Sequence, residues 1–145
     1  MSHRKGFGPH LMLDLHKCNY QKLDSLDTCF KLLDELPTQI GMTKITMPHV
    51  FPYAGLVPED KGITGVVIIA ESHISIHTFP LKRYAFIDVF SCKPFHTDFA
   101  ISYCVDLFES EAPDTHLTFR GSHFPVGSVI DPSVINAVDT SIRTV

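Results

Sequence analysis

The sequence predicts an α+β fold, a two-layer sandwich in which a largely antiparallel sheet carries two helices on one face. Three observations lead there. Strand-like and helix-like runs follow in the order β-α-β-β-β-β-α-β with short connections, which favours helices gathered on one side of a sheet. The runs "TGVVIIAE", "HISIHTF" and "RYAFIDVFSC" follow closely, rich in β-branched and aromatic residues, with no helix cap between them. Two segments show apolar residues at helical spacing. A length of 145 residues suits a single domain spanning 1–145 with one real core.

Taken in order, "MSHRKGFGP" reads as a flexible start. In "HLMLDLHKC" Leu11, Leu13 and Leu15 alternate with Met12, Asp14 and His16, the period of a strand. "SLDTCFKLLDEL" puts Leu26, Cys29, Phe30, Leu33 and Leu36 on one helical face, with Ser25 as N-cap and Pro37 as the stop, so residues 25–36 are predicted helical. "TKITMPHVFPYAG" reads as a strand broken by Pro48 and Pro52, and "LVPEDKG" as a polar loop. After the three strand-like runs, "TDFAISYCVDLFES" presents Phe99, Ala100, Tyr103, Cys104, Leu107 and Phe108 on one helical face, with Thr97 as its cap. "HLTFRGS" is a last strand, and the tail from Phe124 reads as irregular.

Composition narrows the function classes. The net charge is −4 with histidines neutral, and the one basic cluster, "HRK" at residues 3–5, is a short solvated terminus, so no nucleic-acid footprint is expected. No run approaches the ~20 apolar residues of a membrane helix and no signal-peptide pattern opens the chain, so a cytoplasmic protein is expected. Cys18, Cys29, Cys92 and Cys104 are widely spaced and lack a Cys-x-x-Cys pair, which argues against a disulfide framework or structural zinc.

The chemistry concentrates in "AESHISIHTFP", residues 70–80. His73-x-x-x-His77 looks like half of a zinc-protease helix, yet Ile74 stands where that motif needs glutamate and the alternation says strand. On a strand, i and i+4 lie roughly 13 Å apart at ~3.3 Å per residue, too far to share an ion, so no metal is expected. A hydrolase built on Ser72, a nearby histidine and Asp88 lacks the Gly-x-Ser-x-Gly elbow. Singly, each of Ser72, His73, His77 and Cys92 fits a hydrogen-bonded structural role; their joint arrangement is what stands out.

"GVVIIAESHISIHTFP" followed by "DVFSC" resembles the core of the bacterial and archaeal S-adenosylmethionine decarboxylase proenzymes, from about "GPHLMLDL" to the second helix. The resemblance implies a small α+β sandwich that dimerises and a precursor that cuts itself at Glu71-Ser72 into residues 1–71 and 72–145. It implies that Ser72 becomes a covalent pyruvoyl group, that His77 assists processing and that Cys92 is the catalytic proton donor. Phe51 is similar to the aromatic that stacks on the substrate adenine, Phe79 to a second aromatic, and Thr64 replaces a common serine while keeping the hydroxyl. Leu81 stands where the family often has an acid that accepts the ribose hydroxyls.

The implied chemistry suits these residue types. Attack of the Ser72 hydroxyl on the Glu71 carbonyl gives an ester by N-to-O acyl shift. Loss of the Ser72 α-proton expels the main-chain carboxylate of Glu71, and the dehydroalanine hydrolyses to pyruvoyl and ammonia. A tight turn supplies the proximity, and a histidine titrates near neutrality. The keto group then serves as an electron sink through a Schiff base with the substrate amine, the part pyridoxal phosphate plays elsewhere. A thiol can return a proton to the carbanion. The resemblance implies decarboxylation of S-adenosylmethionine to the aminopropyl donor for spermidine synthesis, by a homodimer of processed protomers. The alternatives are the same machinery acting on arginine or ornithine, or a processing-dead partner subunit; intact Ser72, His77 and Cys92 argue against the latter.

Overall fold

The computed structural model describes residues 6–134; the basic cluster at 3–5 and the tail from 135 lie outside the described residues. Leu11, Leu13 and Leu15 alternate along the strand β1 (Gly8–His16) and all three side chains are buried. A short helix α1 (Tyr20–Leu23) and a long one α2 (Leu26–Gln39) follow, then β2 (His49–Tyr53), β3 (Gly62–Ile69), β4 (Ser72–Phe79), β5 (Tyr84–Ser91), helix α3 (Thr97–Phe108) and β6 (Ala112–Arg120). The six strands form one sheet in the order β2-β3-β4-β5-β1-β6, and every neighbouring pair is antiparallel. The α+β sandwich is as expected.

Side chains of alternate positions on β1, β3, β4 and β5 meet the helices. Ile63, Val67, Ile69, Ile74, Ile76, Ala85, Ile87 and Val89 join the β1 leucines in a core with Leu32, Leu33 and Leu36 of α2 and Ala100, Cys104 and Phe108 of α3. Close packing of α2 on β3 depends on Gly65, where a Cβ would stand 2.8 Å from Leu33 Cδ1. The opposite face of the sheet carries half-buried and exposed residues, among them Val66, Ile68, His77, Phe86 and Phe90. No helix among the described residues is long and apolar enough to cross a membrane.

Several boundaries differ from expectation. Pro37 does not stop α2, which runs on to Gln39. In the last turn a missing N–H costs one bond, and the ring is buried; the stop is Gly41, whose φ of +77° suits glycine beyond a helix end. Ser25 does cap this helix, accepting the Thr28 N–H at 3.1 Å, but Leu26 is exposed and Leu32 takes the buried place instead. The N-cap of α3 is His96, not Thr97, and Phe99 turns outward. Pro52 lies within β2 because this is an edge strand, where one absent donor is tolerated. The last strand begins at Ala112, four residues before His116, and α1 and two single 3-10 turns (Pro58–Asp60 and Pro80–Lys82) went unforeseen.

Candidate active site

The β3–β4 connection is as short as a hairpin allows. Ile69 pairs with Ser72, leaving Ala70 and Glu71 as the turn. Both are tied to the chain ahead of β2. Ala70 N–H donates to the Thr43 carbonyl at 2.8 Å, and Thr43 N–H donates back to the Glu71 carboxylate at 2.9 and 3.4 Å. Glu71 is consequently 93% withdrawn from solvent, at 7% exposure, yet satisfied. Its carbonyl accepts the Cys92 backbone N–H at 2.9 Å.

Cys92 sits there because β5 ends in a fixed turn. Ser91, opposite Ser72 in the register, is fully buried; its hydroxyl donates to the Lys93 carbonyl at 2.8 Å and accepts the Lys93 N–H at 3.0 Å. Glu71, Ser72 and Cys92 are thus one cluster. Cys92 is half-buried, whereas Cys18, Cys29 and Cys104 are buried. Burial pushes the thiols of Cys29 and Cys104 up to about 12 and raises that of Cys18, so these three are structural. On the open face beside Ser72, His73 meets the Phe90 ring at 5.7 Å. Its pKa is lowered, first by desolvation and then by His10.

A second cluster forms further along the same strand. The register aligns Phe51 of β2 with Thr64 of β3, and Thr64 with His77 of β4, on the open face. Thr64 Oγ1 and His77 Nδ1 are 3.2 Å apart. Phe79 lies edge-on to Phe86, ring centroids 5.9 Å apart. Phe51, Thr64, His77 and Phe79 line a cavity of about 450 Å³ together with Tyr53, Asp60 and Gly62, a volume suited to a small ligand.

The two clusters do not meet within the chain. Ser72 and His77 are five residues apart on β4, roughly 16 Å at ~3.3 Å per residue, and an odd separation directs side chains to opposite faces. The structure therefore joins Glu71, Ser72 and Cys92 in one place and Phe51, Thr64, His77 and Phe79 in another. One contributor escaped the sequence reading: Thr43 left no signal, since its bond to Glu71 spans 28 residues. Asp60 stood in the sequence as one of two carboxylates, with Glu59, that the loop "PEDKG" could lend to the distal charge of arginine or ornithine.

Comparison with known proteins agrees with this architecture. Residues 9–121 match the family profile described as S-adenosylmethionine decarboxylase. An S-adenosylmethionine decarboxylase proenzyme of Thermodesulfovibrio yellowstonii is 35% identical over 117 residues, covering 79% of this chain and 81% of its own. One of Fervidobacterium nodosum is 32% identical, covering 85% and 86%. The crystal structure of the adenosylmethionine decarboxylase from Aquifex aeolicus superimposes with a TM-score of 0.71 at 29% identity, covering 87% of this chain and 99% of that one. With most of its length matched at this level, the chain belongs to the S-adenosylmethionine decarboxylase family, a family of carboxy-lyases.

Proposed function

We propose that the chain cleaves itself between Glu71 and Ser72, converts Ser72 into a pyruvoyl group, and decarboxylates S-adenosylmethionine to the aminopropyl donor used in spermidine synthesis. The observation that carries this reading is the Glu71–Ser72 peptide itself, in a two-residue turn with its carbonyl on the Cys92 N–H at 2.9 Å. Attack by the Ser72 hydroxyl moves negative charge onto that oxygen, and a backbone donor already aimed at it stabilises the charge as it forms. The Glu71 carboxylate, anchored on Thr43 N–H, keeps the turn from swinging away. The names of the relatives, each a proenzyme, fit a precursor that matures.

The surroundings of Ser72 suit the group it would become. Residue 72 remains paired with Ser91 in the sheet after scission, so the new chain end stays beside Cys92. A pyruvoyl group there supplies a carbonyl that takes up a substrate amine and draws electrons from the bond to the departing carboxylate. Cys92 holds a proton for return to the substrate carbon. His77, with Thr64 orienting its Nδ1 side, is the acid/base for scission. Because His77 cannot reach Ser72 in its own protomer, we assign it to the site of a second copy. Two protomers pack open sheet face to open sheet face, covering apolar residues such as Phe51, Ile68 and Phe86, which are 56%, 38% and 42% exposed.

The substrate reading rests on Phe51 and Phe79, flat apolar walls for adenine that also attract a sulfonium through cation–π contact of ~0.5–2 kcal/mol. Nothing in the comparisons favours arginine or ornithine. We place the protein in the cytoplasm, where thiols such as Cys18, Cys29 and Cys104 stay reduced.

An intact-mass spectrum of purified protein tests the central step. Two fragments, 1–71 and 72–145, are expected, the second lacking a free amino terminus. A mature sample consisting of one intact 16.2 kDa chain would falsify the reading.

A further inference from the structure

The cavity that gathers Phe51, Thr64, His77 and Phe79 has one carboxylate among its described lining residues, Asp60. Asp60 also borders a neighbouring cavity of about 390 Å³ with Phe79, Lys82, Tyr84 and Phe86, so it stands, like Phe79, at the seam of the two. Its position is fixed rather than incidental. The 3-10 turn Pro58–Asp60 is closed by Asp60 N–H to Val57 carbonyl at 3.0 Å. Lys82 Nζ, from the second 3-10 turn Pro80–Lys82, holds Asp60 Oδ1 at 2.6 Å. The side chain keeps 36% of its surface exposed.

Building on the reading above that the substrate is a nucleoside, we propose that Asp60 accepts the ribose hydroxyls and that Lys82 positions it. A vicinal diol offers two O–H donors, and a carboxylate has about four acceptor sites, of which Lys82 uses one. Pairing with Lys82 also decides what Asp60 is not. A carboxylate already neutralised by an ammonium is a weak counter-ion for a guanidinium, a second ammonium or a sulfonium, yet it still accepts strongly from neutral hydroxyls. Leu81, adjacent in the same turn, is apolar and 52% exposed, and its side chain has no acceptor to offer. The acceptor thus comes from the β2–β3 connection rather than from the residue after Pro80.

Calorimetric titration of the mature protein with 5′-methylthioadenosine and its 2′,3′-dideoxy analogue isolates the ribose term, because neither ligand carries the amine needed for chemistry. Wild type should prefer the ribonucleoside on the order of 10- to 100-fold, the range of hydrogen bonds to a charged group. Asp60→Ala should abolish that preference while leaving dideoxy affinity unchanged. Lys82→Met should weaken it partway, and Glu59→Gln should leave it intact. Equal wild-type affinity for the two ligands, or equal losses for both in Asp60→Ala, would overturn the assignment. If S-adenosylmethionine is turned over while Asp60→Ala keeps the full ribose preference, this inference falls and the substrate reading stands. If neither nucleoside binds and S-adenosylmethionine is not decarboxylated, both fall.

Discussion

Cys92 offers two different groups, a backbone N–H on the Glu71 carbonyl and, in the function proposed above, a thiol that returns a proton to the substrate. Substitution separates them. Cys92→Ala keeps the amide and removes the thiol, so it should still cut at Glu71-Ser72 but decarboxylate on the order of 10²-fold more slowly, as loss of a general acid does. His77→Ala should show the reverse, slow scission from loss of its own role. Gel densitometry over time and carbon dioxide release from carboxyl-labelled substrate measure the two steps. Full turnover by Cys92→Ala would take its thiol out of the mechanism. Each of these residues was singled out from the sequence, because the motif that names them is local to a short stretch and its following strand. Thr43 was not, since a backbone donor acquires a partner only when folding sets one opposite it; Asp60 was visible only as one of two carboxylates that its loop could lend to a distal charge.

Thr78 shows how elements are stitched beneath the cavity. It is 2% exposed; its hydroxyl accepts the Ile63 N–H at 2.9 Å and donates to the Leu23 carbonyl at 2.9 Å. One oxygen therefore ties β3, β4 and α1 together. Thr78→Val keeps the shape but strands a buried donor and a buried acceptor, costing roughly 1–3 kcal/mol for each group left unsatisfied. A lowered urea midpoint with an unchanged slope is expected. A midpoint equal to wild type would mean that water or a shifted backbone replaces both bonds. The order of the elements could be read from periodicity, whereas their ends could not. Whether a proline stops a helix depends on where it falls, and Pro37 lies in the last turn, with less than one turn of helix beyond it. Whether it breaks a strand depends on edge position, which at Pro52 is a property of the sheet and not of "HVFPY".

At the scale of the molecule, the separation of the two clusters on β4 becomes a statement about assembly. A six-stranded sheet with helices on one face leaves the other face without a helix among the described residues, and the face that carries His77 is that one. If a second copy completes each site, then Ser72 of one chain is served by His77 of the other, and two inactive variants should rescue each other. Ser72→Ala cannot be cut, and His77→Ala should cut slowly when alone. Co-expressed with distinguishable tags, they form mixed dimers in which one site joins an intact Ser72 to an intact His77. The His77→Ala chain should then be cleaved at close to the wild-type rate within mixed dimers, while the Ser72→Ala chain stays whole. Tag-selective purification followed by mass spectrometry reads both chains separately. Mixed dimers whose His77→Ala chain remains as intact as in the homodimer would show that His77 acts on its own protomer or not at all, and the strand geometry would then have to open by some 16 Å for the first of these to hold.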